Sequence, residues 1–100
     1  MTSFTLTRKA LADLAGIGRY TQETWGVAQR NTYLAMLDGC FHQLAENPHI
    51  GTDCSDIRKG YRKHKAGKHL IFYHATTAKE IEIVRVLHGR MDIERKLFEN

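Results

Sequence analysis

The sequence predicts an α+β fold in the order β-α-α-β-β-β, with an N-terminal helical hairpin packed on an antiparallel sheet. Three observations predict it. Two helical stripes fill the first half with only a glycine between them. Strand-like runs fill the second half, separated by short turns. Helices first and a meander last is the arrangement in which helices cover one face of an antiparallel sheet.

The elements follow in order. Phe4 and Leu6 alternate with Ser3, Thr5 and Thr7, the period of a short strand. Thr7 is placed to cap a helix, because its hydroxyl accepts an orphan backbone N–H. Leu11, Leu14, Ile17 or Gly18, Thr21 and Trp25 then recur at three- and four-residue spacing, and Tyr20 widens that stripe. Gly26 ends the helix, since glycine tolerates the unusual backbone geometry of a helix terminus. A second helix is predicted from Val27 to Glu46, with Leu34, Leu37, Phe41 and Leu44 as its stripe and Tyr33, Met36 and Cys40 beside it. Asn47-Pro48 stops it, because proline disfavours helix in the preceding residue. So short a link makes the helices antiparallel. Residues 48–56 read as loop and Ile57 to Lys65 as a polar strand. Ala66-Gly67-Lys68 reads as a hairpin turn, His69 to His74 as a β-prone run and Glu80 to Leu87 as the last strand.

Strand side chains alternate between faces. Ile71 and Tyr73 then oppose Leu70 and Phe72, and Ile81, Ile83 and Leu87 oppose Val84 and Val86. Both faces are apolar, yet one helical hairpin covers only one. The other is covered by the C-terminal tail (Met91, Ile93, Leu97, Phe98), by self-association or by another protein.

With 100 residues, residues 1–100 form a single domain with one modest core. Apolar residues are 42% and charged residues 26%, which is a globular composition. No apolar run approaches the roughly 18 residues of a membrane span, and the first residues lack a signal-peptide stretch. Two cysteines build no disulfide framework, so a reducing cytoplasm is expected. Residues 1–56 hold four bases and six acids, whereas residues 57–100 hold eleven bases and five acids. Between Arg58 and Lys79 there are seven bases and no acid. A basic half of this kind suits an anionic partner, either nucleic acid or an acidic protein segment.

The search for chemistry is mostly negative. His64, His69 and His74 are spaced by five, so neighbours point to opposite faces of a strand, and no metal site is expected. No nucleophile elbow and no phosphate loop occur, and no cofactor is expected. A metal-free site for RNA cleavage needs an acid, a base and cations for the phosphorane. Arg62, Arg85 and His88 are the candidates, His88 because an imidazole titrates near ~6.5.

Taken together, several segments carry a resemblance over nearly the whole chain. They are Asp13-Leu14 with Ile17 and Tyr20, Trp25-Gly26, and Leu44-Ala45-Glu46-Asn47-Pro48-His49-Ile50-Gly51. The hairpin His69-Leu70-Ile71-Phe72-Tyr73 and the closing Ile83-Val84-Arg85-Val86-Leu87-His88-Gly89-Arg90-Met91-Asp92 complete it. In these the chain resembles the ParE toxins of the RelE/ParE superfamily, from bacterial type II toxin–antitoxin modules. The resemblance implies two helices on an antiparallel sheet. It implies a ParD-like antitoxin whose C-terminal segment wraps the toxin, DNA gyrase as the target, and no catalytic residue set. For RelE-like relatives it implies cleavage of ribosome-bound messenger RNA instead, the reading in which Arg62, Arg85 and His88 act. For antitoxin contact the candidates are Leu11, Leu14, Tyr20, Trp25, Phe72 and Tyr73, with Arg58, Arg62 and Lys63 for acidic partners. For target contact they are Arg90, Met91, Ile93 and Leu97 in the short amphipathic tail.

Overall fold

The computed structural model describes residues 2–89 and 93–97. Strand β1 (Ser3–Leu6) leads into α1 (Arg8–Trp25) and α2 (Val27–Glu46). Then come β2 (Thr52–Asp53), β3 (Arg62–Ala66), β4 (His69–Thr77), β5 (Glu80–His88) and a short α3 (Ile93–Leu97). The five strands lie in the order β1-β5-β4-β3-β2, with the helical hairpin on one face. Three of the four strand pairs are antiparallel, as expected; β1 joins β5 in parallel.

Local chemistry sets the first half. Thr7 caps α1, its Oγ1 accepting the Ala10 N–H at 3.0 Å. The same hydroxyl donates to the Val84 carbonyl at 2.7 Å, so the cap also pins α1 to β5. Gly26, at φ 96°, serves both helices: its N–H donates to the Gln22 carbonyl and its carbonyl accepts from the Arg30 N–H. Such a φ strains any residue with a Cβ. Ala10, Ile17, Leu37, Phe41 and Leu44 close the core with Ile71, Tyr73, Ile81, Ile83 and Val86 of the sheet.

Three expectations are corrected. The α1 stripe turns inward through Ala10, Leu14, Ile17 and Thr21, which leaves Leu11 52%, Tyr20 66% and Trp25 68% exposed. The small Ala10 takes the place against the sheet that Leu11 was expected to fill. Second, the chain from Cys54 to Tyr61 is not strand. It closes on itself through Cys54 N–H to the Tyr61 carbonyl and Ile57 N–H to the Cys54 carbonyl, both 2.9 Å, and β3 begins only at Arg62. Third, Leu87 does not share a face with Ile81 and Ile83. Phe72 pairs with Arg85 but Tyr73 pairs with Ile83, so Val84 is an extra residue on β5. A bulge of this kind reverses the alternation beyond it. Val86 therefore joins the helix-side core, and Leu87 crosses to the far face.

That far face is covered from within the chain. Phe72 and Leu87 pack with Cys54 and Leu97, flanked by Ile57, Tyr61, Leu70 and Ile93. Of the three coverings the sequence left open, the tail supplies Ile93 and Leu97 here, and the 54–61 loop shares the role; Met91 and Phe98 lie outside the described residues.

The β3–β4 turn is two residues, Gly67-Lys68, with Gly67 at φ 60°. A Cβ on Gly67 falls 2.7 Å from the Tyr33 hydroxyl of α2. Gly67→Ala meets both the left-handed backbone and this overlap, and should lose about 2 kcal/mol of stability by urea unfolding. A loss below about 0.5 kcal/mol would show that neither constraint operates.

Candidate functional site

An open groove of about 1030 Å3 lies between α1, the start of α2, the β3–β4 turn and the end of β5. It exists because β1 is short. Strand β1 pairs with β5 only up to Ile83, and the remainder of that edge is closed by α1 instead of by another strand. Ala12 and Gly16 keep the α1 wall low, and Tyr20 and Trp25 stand over it as exposed aromatics.

Asp13 fastens α1 to this edge. Its carboxylate takes two charge-assisted bonds from Arg85, Nε–Oδ2 at 2.8 Å and Nη2–Oδ1 at 2.9 Å. It also accepts the Val86 N–H at 3.0 Å, a donor that β1 no longer reaches. Arg85 in turn donates to the Lys96 carbonyl at 2.9 Å, tying in α3. Both side chains are mostly buried.

At the other end of the groove, the Tyr33 hydroxyl accepts the Lys68 N–H at 3.0 Å and lies 2.6 Å from His69 Nδ1. The same hydroxyl lies 3.5 Å from the Ala66 carbonyl, to which it can donate. His88 packs edge-to-face on His69, with ring centroids 5.4 Å apart. Burial first, and then the His88 charge, hold His69 below the ordinary imidazole range, while Asp13 opposes them. Folding therefore favours neutral His69. Below its unfolded pKa of about 6.5 the unfolded chain binds more protons. The contribution of His69 should thus fall as pH drops from about 7 towards 5, and urea midpoints of wild type and His69→Gln should converge in that direction. Parallel pH profiles would contradict the assignment.

On the far face, the His74 ring stacks on Tyr61 (5.2 Å) and lies 3.0 Å from a Glu82 carboxylate oxygen, and the Arg58 guanidinium sits 5.3 Å over Tyr61. Burial pushes the thiols of Cys40 and Cys54 up, away from thiolate chemistry. Among the described residues no group of three or more His, Cys, Asp or Glu is placed to hold a metal ion. Among them no helix is long and apolar enough to cross a membrane.

The expected site residues separate. Tyr20 and Trp25 line the groove. Leu11 is exposed on α1, and Leu14 packs on the core. Phe72 and Tyr73 are buried and offer no surface. Tyr73 instead holds the loop after α2, donating to the Pro48 carbonyl at 2.7 Å and accepting from Gly51 N–H at 2.9 Å. Arg62 donates to the Gly51 carbonyl at 2.7 Å, and Arg62 and Lys63 lie on β3 beside the edge strand β2. Arg62, Arg85 and His88 are not brought together. Arg62 is two strands from β5, Arg85 is held by Asp13, and His88 faces the groove. Of the tail candidates, Leu97 is buried and Ile93 half-buried in the far-face cluster; Arg90 and Met91 lie outside the described residues. Asp13, Tyr33 and His69 were not among the candidates. One signal for Asp13 was legible: an arginine within Ile83-Val84-Arg85-Val86-Leu87 requires a carboxylate opposite it.

The two-helix hairpin over a five-stranded sheet is a fold already seen in a solved structure. A chain of the chromosomal ParDE TA system from P. aeruginosa superposes with a TM-score of 0.74, over 88% of this chain and 96% of that one, at 22% identity. The sequence match is just as extensive. Residues 4–93 fit the family model for the ParE toxin of type II toxin-antitoxin system, parDE, and the chain belongs to that family. Toxin ParE1 of Mycobacterium tuberculosis is 45% identical over 94 residues, which are 94% of this chain and 96% of that protein. Toxin ParE1 of Caulobacter vibrioides is 36% identical over 97 residues, covering 97% of this chain and 99% of that protein. Toxin ParE of Escherichia coli is 35% identical over 97 residues, covering 97% of this chain and 94% of that protein.

Proposed function

We propose that this chain acts in the cytoplasm as a toxin that inhibits DNA gyrase, and that a ParD-like antitoxin neutralises it by laying a C-terminal segment in the groove. The observation that carries the antitoxin half is the pair of aromatics, Tyr20 and Trp25, standing exposed over an open groove that the described residues do not fill. Large exposed aromatics beside a concavity are what interface anchors look like before a partner arrives. Both aromatics lie on α1, and the groove runs from α1 past the start of α2 to the β3–β4 turn and the end of β5, so a segment lying there crosses all of these. The basic second half favours an acidic segment and speeds its approach. The gyrase half rests on membership of the family. The chain works by binding in this reading, and the engagement of Arg85 with Asp13 supports that, since a guanidinium so held is not offered to a phosphorane. For contact with gyrase we propose the segment at Arg90 and Met91, with Ile93 at its margin and Leu97 holding α3 to the sheet.

A supercoiling assay tests the target. With purified gyrase, ATP and relaxed plasmid, titrating in the chain should abolish supercoiling or trap cleaved DNA, and adding antitoxin should restore activity. Full supercoiling with a folded chain at micromolar excess would remove gyrase as the target.

A further inference from the structure

Positive charge gathers on β3 and the loop before it. Residues 51–68 hold six bases and two acids, so this stretch alone carries a charge of +4, as large as the net charge of the whole chain. Lys63 and Lys65 pair with Phe72 and Leu70 across β3 and β4, and cross-strand partners share a face. Phe72 and Leu70 belong to the cluster on the far face of the sheet, so both lysines stand on that face, Lys65 exposed and Lys63 half-buried. Two residues apart on one strand, they are about 7 Å from each other, close to the step between successive phosphates of a nucleic-acid strand. Lys59 is exposed in the loop from Cys54 to Tyr61, whose Ile57 and Tyr61 pack on the same face. Of the acids around them, Asp53 accepts the Ser55 N–H at 2.7 Å, Glu82 lies 3.0 Å from His74, and Asp56 is exposed in the loop. We infer that this face of β3 is a contact surface for the phosphate backbone of double-stranded DNA, bound without regard to sequence, with Lys59, Lys63 and Lys65 as its cations.

The apolar residues of the far face decide between nucleic acid and an acidic protein. Phe72, Leu87 and Leu97 are buried there, covered by the 54–61 loop and by α3. A protein partner draws most of its affinity from anchors set in desolvated apolar pockets. The phosphate backbone needs none, because releasing its condensed counterions to lysines supplies the affinity. The aromatic rings decide between duplex and single strand. A single strand gains from bases stacked on aromatic faces. Here the Tyr61 ring is already stacked on His74 at 5.2 Å, with the Arg58 guanidinium 5.3 Å over it. What the face offers is charge, and a duplex presents its charge outward with its bases inside. The surface lies across the sheet from the helical hairpin and its groove, so the inference stands apart from the antitoxin reading.

The test titrates the full chain into a labelled duplex of about 24 base pairs of arbitrary sequence, read by fluorescence anisotropy from about 50 to about 300 mM salt. Near 150 mM salt the Kd should be about 1–100 µM, and log K should fall against log salt with a slope of about −3, roughly one for each lysine. Lys63→Gln/Lys65→Gln should bring the slope to about −1 and weaken binding more than tenfold at about 100 mM salt. Lys63→Arg/Lys65→Arg, which keeps the charge, should retain both slope and affinity. Arg8→Gln/Lys9→Gln removes the same charge from α1 and should change the slope by less than about 0.5. If the glutamine pair also lowers the urea midpoint, the exposed Lys65→Gln alone decides, with a slope change of about 1. Equal losses from the α1 pair would reduce the effect to net charge and overturn the inference. A single strand of the same length bound several-fold tighter than the duplex would overturn the duplex assignment. An acidic peptide bound as tightly, with the same dependence on Lys63 and Lys65, would make this a protein-binding face. No binding at about 50 mM salt with the chain at about 100 µM would remove the surface altogether.

Discussion

Asp13→Ala should lower stability by about 3–4 kcal/mol, among the largest single-residue losses this chain offers. The carboxylate makes three hydrogen bonds, and all three go to β5: two to the Arg85 guanidinium and one to the Val86 N–H. Removing it takes two charge-assisted hydrogen bonds from a mostly buried guanidinium and leaves the Val86 N–H at a strand edge that β1 does not reach. Breaking one side of a buried, bidentate ion pair costs more than the net worth of the pair itself, because the remaining group stays desolvated without those bonds. In a domain whose total stability is of the order of 5–10 kcal/mol, the melting temperature should fall by roughly 15–25 °C. The double variant Asp13→Ala/Arg85→Met should recover part of the loss, because it removes the buried charge that Asp13 had faced while keeping most of the side-chain volume. The Val86 N–H stays unserved in both, so recovery should be incomplete. A loss under about 1 kcal/mol for Asp13→Ala would mean that water replaces the carboxylate freely and that the groove floor is wetter than its packing indicates.

This same pair marks where reading the sequence stopped. Short-range chemistry was legible: the Thr7 cap, Gly26 between two helices, the Asn47-Pro48 stop and the Gly67-Lys68 turn each depend on residues a few positions apart. What depends on distant partners was not. That β1 lies parallel to β5 depends on strand order across more than seventy residues. The bulge at Val84 depends on how β5 must leave β1 and meet α1, and it moved Leu87 from the expected face to the other. Periodicity placed Leu11 and Trp25 in the stripe because they are the large apolar residues there. The fold instead turned the small Ala10 inward beside the expected Ile17 and Thr21, with Thr21 Oγ1 satisfied by the Ile17 carbonyl at 2.7 Å. A stripe drawn from hydrophobicity alone cannot separate residues that fill a core from residues that await a partner. Phe72 and Tyr73 show the converse: aromatic, expected at an interface, and spent inside the chain. The groove belongs to neither half of the sequence, since it forms where the hairpin meets the unpaired end of β5.

That distinction between core and waiting aromatic makes the remaining large effect measurable. Trp25→Ala and Tyr20→Ala should each leave folding stability within about 0.5 kcal/mol, because both side chains are two-thirds exposed and anchor nothing inside. The same substitutions should cost about 2–4 kcal/mol of antitoxin binding, which is roughly a 30- to 1000-fold loss of affinity. Each aromatic presents a large apolar surface that a partner in the groove would remove from water, and both border one groove, so their losses should not be additive. Leu11→Ala serves as the comparison: it is exposed on the same helix but does not line the groove, and its effect on binding should be small if the partner lies in the groove. Unfolding curves and binding isotherms on the same preparations distinguish the cases. Loss of stability in step with affinity would return Trp25 and Tyr20 to the core. An unchanged affinity would move the partner to the β3 edge, where Arg62 and Lys63 lie. Strong weakening by Leu11→Ala, with Trp25→Ala silent, would place it across the outer face of α1.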